Sequence, residues 1–196
     1  QDKGNPIIFT NGDNDTFPLW YNMDVEGVRT DTRVCNLSYL QTDWYIDQMR
    51  RPAYDSPSVP INWERIDYVS GHNEAVYVRP EAMKAIEGFY KQNPEEAKKE
   101  FGENPYELKN IMKYWVRAPK DGLQMIPTDS IVMTLDKEAI KRSNMLIPDS
   151  IPDYMTISLK GKRMLTKTEL MMLEMLANTN WERPMYMAIT VGSDNH

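Results

Sequence analysis

The residues best equipped for chemistry form one short polar run, Asn11-Gly12-Asp13-Asn14-Asp15, between the apolar stretch Ile7-Ile8-Phe9-Thr10 and an amphipathic stretch that begins at Thr16. Carboxylates and carboxamides this close together suit a hydroxyl-rich ligand such as a sugar, or a hard cation held through oxygen. The same residue types equally suit a tight loop, in which Asp and Asn bond neighbouring backbone amides, Gly12 supplies a positive φ and Asp15 caps a helix. Both readings stand on sequence. An EF-hand counted from Asp13 requires Glu at its twelfth position, where Asp24 stands instead. The run is also neither a G-x-G-x-x-G fingerprint nor a phosphate-cradling P-loop.

Two further polar groups follow apolar runs. Asn36, Ser38 and Asp43 come after Arg33-Val34-Cys35, and Ser193, Asp194, Asn195 and His196 come after Met185 to Val191. If the three runs are parallel strands, their exit loops meet at one sheet edge, where α/β proteins usually bind ligands. The candidate ligand-binding crevice is therefore Asn11, Asp13, Asn14, Asp15, Asn36, Ser38, Asp43, Ser193 and Asp194. Ordinary loop chemistry remains the competing account, because polar residues after strands are common.

Other chemistries find less support. His72 and His196 are the only histidines and are far apart in sequence, so neither makes a metal site and no Ser-His-Asp order can be drawn. Cys35, the only cysteine, sits within an apolar run as a small hydrophobe and admits no internal disulfide. Trp20, Tyr21, Trp44, Tyr45 and Trp181 are the aromatic side chains that would stack on a sugar face, although helical spacing packs most of them against a sheet. The methionines clustered at 171–175 and 185–187 read as core filling. No catalytic residue, metal ligand or cofactor is assigned.

The elements that must position these groups alternate. Residues 6–10 read as a strand covered on both faces. A helix from about Thr16 to Glu26 follows, with Asp15 or Thr16 as N-cap, Pro18 in the first turn and Gly27 at its end. A strand over 33–37 precedes a helix capped by Thr42 or Asp43 that stops before Pro52. In the helical stretch 81–92, Met83, Ile86, Phe89 and Tyr90 share a face, and two more helices follow Pro94 and Pro105, so residues 80–118 form a helical insertion. Asp136 caps a short helix through Arg142. Residues 154–165 read as a β-hairpin turning at Lys160-Gly161-Lys162. Thr166 and Glu169 have the capping-box spacing ahead of a helix rich in Leu and Met. The fold class is α/β, a three-layer, mainly parallel Rossmann-like sheet with that helical insertion, built as a single domain over 1–196.

Length and composition agree with a packed domain. The 196 residues carry 23 basic and 29 acidic side chains, a net charge of −6, which argues against a nucleic-acid surface. Five Trp, eleven Tyr and four Phe supply large apolar area. No stretch has the length and uniform apolarity of a membrane span. The opening Gln1-Asp2-Lys3-Gly4 reads as the start of a piece cut from a longer chain.

The run from Ile8 to Tyr21, with Glu26-Gly27-Val28-Arg29, Asn36-Leu37-Ser38, Thr42-Asp43-Trp44-Tyr45-Ile46 and the later Asn180-Trp181-Glu182-Arg183-Pro184-Met185-Tyr186, resembles a known family. It is similar to the C-terminal region of polytopic membrane proteins of Bacteroidetes, now grouped with protein O-mannosyltransferase-like glycosyltransferases of GT-C type. The resemblance implies a parent enzyme that moves a sugar from a lipid-linked donor to a protein, with catalytic carboxylates in transmembrane loops absent from this chain. It further implies a periplasmic location at the inner membrane and partnership with the transmembrane part of the same parent chain. The role so implied is a non-catalytic accessory domain that positions acceptor protein or glycan. The residues leave two alternatives open, a self-contained metal-assisted hydrolase or sugar-nucleotide transferase using Asp13 and Asp15, and a structural lid or assembly module with no ligand.

Overall fold

The computed structural model describes residues 4–117, 124–143, 150–179 and 181–188. In chain order its elements are β1 (Ile7–Thr10), α1 (Asp13–Asp24), β2 (Arg33–Asn36), α2 (Asp43–Met49), α3 (Arg65–Tyr68), β3 (Ala75–Tyr77), α4 (Met83–Gln92), α5 (Pro94–Phe101), α6 (Leu108–Ile111), β4 (Ser130–Thr134), α7 (Lys137–Arg142), β5 (Tyr154–Ser158), β6 (Met164–Thr166), α8 (Lys167–Asn178) and β7 (Met185–Met187). A 3-10 turn at Pro80–Ala82 leads into α4, and a π-helical segment, Met112–Arg117, continues α6. The chain, read from sequence as one domain, divides into two compact units. The first comprises Gln1–Ile61, Asp136–Ile151 and Thr179–His196; the second comprises Asn62–Leu135 and Pro152–Asn178.

The first unit holds a parallel sheet of three strands in the order β2-β1-β7. Short β-branched and apolar runs make these strands, and Ile7, Phe9, Val34 and Cys35 are buried in the core. Each fully buried Ile or Phe contributes about 1.5–3 kcal/mol, so the central strand is the apolar anchor of the unit. The ladder is closed at its ends by Ile7 N–H donating to Pro184 O (2.9 Å), Leu37 N–H to Thr10 O (2.9 Å) and Ala188 N–H to Phe9 O (2.8 Å). Helix α2 follows Thr42 and ends at Met49, with Arg50 as its C-cap two residues before Pro52, in line with its punctuation. The Asp136 cap is present, its Oδ1 accepting the Ala139 N–H at 2.9 Å.

Helix α1 starts earlier than its sequence signals indicate. Its N-cap is Gly12 at φ 77°, and Asp13 already has helical geometry, so Asp15 and Thr16 lie inside the first turns. A glycine reaches that φ without steric cost, which lets the chain turn directly into the helix. Pro18 consequently sits within the helix rather than in its first turn. It has no N–H, so the Asn14 carbonyl receives no helical hydrogen bond from it.

In the second unit, residues 80–117 are helical almost throughout, as their pattern indicates. Met83, Ile86 and Trp115 form a buried cluster flanked by Tyr90, Phe101 and Tyr106, with Phe101 stacked on Trp115 at 4.8 Å between ring centroids. The β-hairpin reading of residues 154–165 is corrected. Strand β5 pairs antiparallel with β4, and β6 pairs antiparallel with β3. The Gly161 turn exists, with Lys162 N–H donating to Leu159 O at 3.0 Å, but the buried Leu159 gives its own N–H to Asp129 O at 2.7 Å. That anchor redirects the chain instead of folding it back. Parallel pairing of one strand with another is found in the first unit, and the second unit adds isolated parallel bridges, Val78 with Ile126 and Glu107 with Val132.

Helix α8 opens with half of the expected capping box, Thr166 N–H donating to Glu169 Oε2 at 2.8 Å. Its next residue, Lys167, is buried and donates to Tyr68 O (3.0 Å) and Glu74 Oε1 (2.8 Å). Leu170, Met171 and Met175 then pack into the core, the role expected of the methionine-rich helix.

Candidate functional site

Strands β1 and β2 are neighbours and parallel, so their exit loops emerge side by side. A buried polar knot joins them. The Thr16 hydroxyl donates to Gly12 O at 2.6 Å, shares a hydrogen bond with the Thr10 hydroxyl at 2.8 Å and accepts from Asn36 Nδ2 at 2.8 Å. Asn36 Oδ1 in turn accepts the N–H groups of Ser38 (2.8 Å) and Tyr39 (3.2 Å), forming an Asx turn. The Tyr45 hydroxyl donates to Val34 O at 3.2 Å, while its oxygen accepts the Asn36 N–H at 3.0 Å. Thr10, Thr16 and Asn36 are at most 1 % exposed. Buried hydroxyls and amides are tolerated only when bonded, and here both ends of the Asn36 amide are engaged.

The candidate residues separate on this basis. Asn36 is a buried brace, not a surface group. Asp15 Oδ2 accepts the Asn11 N–H at 3.4 Å, and Asp43 Oδ1 accepts the Trp44 N–H at 2.7 Å, so both carboxylates bond local backbone. Asn11, Asp13, Asn14 and Ser38 are exposed, and their side chains carry no hydrogen bond among the described residues. Ser193 and Asp194 lie outside the described residues, so the third exit loop is not part of this geometry. Asp13 and Asp15 fall in the first turn of α1, where negative charge is favoured by the helix dipole.

Of the aromatic set, Tyr45 is buried in the knot, whereas Tyr21 and Trp44 are more than half exposed. Phe17, not read as a contact residue from sequence, is exposed on α1 one turn before Tyr21 and pairs with Trp20 at 5.9 Å between centroids. Sequence reasoning also passed over the Thr10 and Thr16 hydroxyls. Their signal was a threonine closing an apolar strand and another inside an amphipathic helix, both places where a hydroxyl needs a partner.

Cys35 is fully buried and its Sγ donates to Met49 Sδ at 3.6 Å. Burial pushes its thiol up to about 12, so it stays protonated and non-nucleophilic at neutral pH. Among the described residues, no cluster of three or more His, Cys, Asp or Glu side chains is arranged to hold a metal ion.

A family model described as TMEM260-associated domain 2 matches residues 2–196. The chain belongs to that family. The family's name ties the domain to TMEM260, a membrane protein. No curated protein matches the chain, and no solved structure does. None of the described helices is long and apolar enough to cross a membrane.

Within this TMEM260-associated domain the Arg183-Pro184 pair has a visible task. Arg183 donates through Nε to Asn5 O (2.6 Å), through Nη1 to Ser58 O (2.8 Å) and through Nη2 to Ser56 Oγ (3.2 Å). One guanidinium therefore ties the segment entering β1 to the 56–58 loop, using the fixed fork of donors that lysine lacks. Pro184, whose carbonyl receives the Ile7 N–H, then aligns β7 on β1.

Proposed function

We propose that this TMEM260-associated domain is the non-catalytic periplasmic domain of a membrane-embedded protein O-glycosyltransferase, protein O-mannosyltransferase-like and of GT-C type, from the Bacteroidetes group named above. In this reading the sheet is the centre of a three-layer Rossmann-like arrangement, and its exit edge positions acceptor protein or glycan beside the transmembrane part of the same parent chain. Sugar transfer itself belongs to that transmembrane part. The observation that carries the reading is the match over residues 2–196 to a domain named for its association with a membrane protein. Support comes from the exposed polar side chains Asn11, Asp13, Asn14 and Ser38, with exposed Phe17, Tyr21 and Trp44 on the two helices that follow these strands. Amides and carboxylates beside aromatic faces are the usual chemistry of carbohydrate and peptide contact.

The test replaces Asp13 and Asn14 together by alanine in the full-length parent and measures glycan transfer in membranes. A drop in transfer with unchanged protein level supports positioning at this edge. Unchanged transfer removes the site. A structural module without ligand is the second reading, favoured by the local backbone bonds of Asp15, Asn36 and Asp43. NMR titration of the 196-residue chain with glycans and glycopeptides separates the two, because a structural module shows no saturable shift at residues 11–14.

A further inference from the structure

The second unit carries a cavity of about 240 Å³ whose character differs from the strand-exit edge. Trp63, Glu174 and Asn178 line it, together with Lys109, Lys113 and Arg117. The three cations recur every four residues along α6 and the π-helical segment, which brings them to one wall. π-helical segments are rare and frequently mark functional sites, because they aim side chains that a regular α-turn would direct elsewhere.

The other wall contains a donor that the fold leaves unpaired, beside a buried carboxyl. Trp63 is 1 % exposed, yet its indole N–H is buried without a hydrogen-bond partner. Glu174 is 4 % exposed. One carboxylate oxygen accepts the Asn62 N–H at 3.0 Å, and the Asn178 side chain and the Arg117 charge also favour its ionised form. The Trp63 N–H lies near enough to favour the charged carboxylate without closing a bond to it. Burial dominates and raises the Glu174 pKa, so this carboxyl takes up a proton more readily than an exposed one and tolerates a neighbouring anion. Buried donors in folded proteins are nearly always paired, and an unpaired indole N–H on a residue lining a cavity asks for a partner from outside the chain.

We propose that this cavity binds an anionic sugar unit, its carboxylate or phosphate held by the Lys109, Lys113 and Arg117 wall while ring hydroxyls pair with Trp63 and Glu174. The cations supply the charge complement, and a hydroxyl, being both donor and acceptor, matches an indole N–H beside a carboxyl. Arg117 already bonds Asp67 at 2.9 Å, and Lys113 Nζ lies 4.7 Å from the Tyr114 ring centroid, so both heads are held near the wall before a ligand arrives. The site is independent of the strand-exit edge, and its test does not involve glycan transfer.

The experiment follows the Trp63 indole N–H resonance of the isotopically labelled 196-residue chain during titration with glucuronate, glucose 1-phosphate, glucose and inorganic phosphate. Saturable shifts with either anionic sugar, with glucose and inorganic phosphate at least about tenfold weaker, support the site. A response to one anionic sugar alone identifies carboxylate or phosphate as the anion. Lys113→Gln, at an exposed position that leaves the core intact, is expected to weaken binding about tenfold. The proposal is overturned if Trp63 is unmoved by both anionic sugars, if glucose or inorganic phosphate matches them, or if Lys113→Gln binds as the parent does.

Discussion

Two polar clusters in this molecule are built from similar side chains and end in opposite states. At the strand exits of the first unit, Thr10, Thr16, Asn36 and Tyr45 bond one another and the backbone until the buried hydroxyls and the Asn36 amide are matched. On the cavity wall of the second unit, the Trp63 N–H is unmatched, and the Glu174 carboxylate accepts the Asn62 N–H while burial still holds its pKa above the ordinary carboxylate value. Burial alone therefore does not separate brace from binding group. The residual hydrogen-bonding capacity does, since a closed network resists change and an open one awaits a partner.

The sharpest way to break this contrast is Asn36→Ala. It removes the donor to Thr16 and the acceptor for two loop amides in a site that water does not reach, and is expected to cost about 3 kcal/mol, read as a lower urea midpoint at unchanged slope. Thr16→Val, nearly isosteric, leaves fewer groups unmatched and should cost about 2 kcal/mol by the same measurement. If either variant is neutral, the knot is not a brace.

Glu174→Gln tests the open cluster. A carboxyl whose folded pKa is raised above its ordinary 4.5 contributes stability that is fully present below 4.5 and lost as pH rises through the folded value. The glutamine variant keeps an acceptor for Asn62 but not that titration. It should match the parent near about pH 4 and unfold at a higher urea midpoint than the parent near about pH 8. A parent whose midpoint is no lower relative to the variant at the higher pH contradicts the strained carboxyl. The smallest effect belongs to Asp13→Ala with Asn14→Ala, both exposed, which should shift stability by about 0.5 kcal/mol or less while removing the proposed contact edge.

The first unit was the more legible from sequence. Short runs centred on apolar residues at 7–10 and 33–36 become neighbouring parallel strands, and polar loops after them fall together because parallel pairing sends both exits the same way. Local signals misplaced the start of α1, because acidic residues that make good caps also suit a first helical turn, and a positive φ at Gly12 let the turn come sooner. They also joined β5 to β6, since a Gly-containing turn looks the same whether the strands beside it meet or part. Only the distant partners, β4 and β3, settle which. The Trp63 and Glu174 wall was missed, although Glu174 stands four residues after the buried Leu170 and so on the apolar face of α8. An acid on that stripe was the available clue.

The central strand β1 pairs on one side with β7, residues 7–9 against 185–187. A chain emerging from a ribosome presents Ile7 before Met185, with the whole of the second unit spelled out between them. One flank of β1 thus stays bare while the second unit is made, so the later-starting unit can reach its native form before the earlier one closes. Arg183 and Pro184, arriving just ahead of β7, are the latch on that final closure.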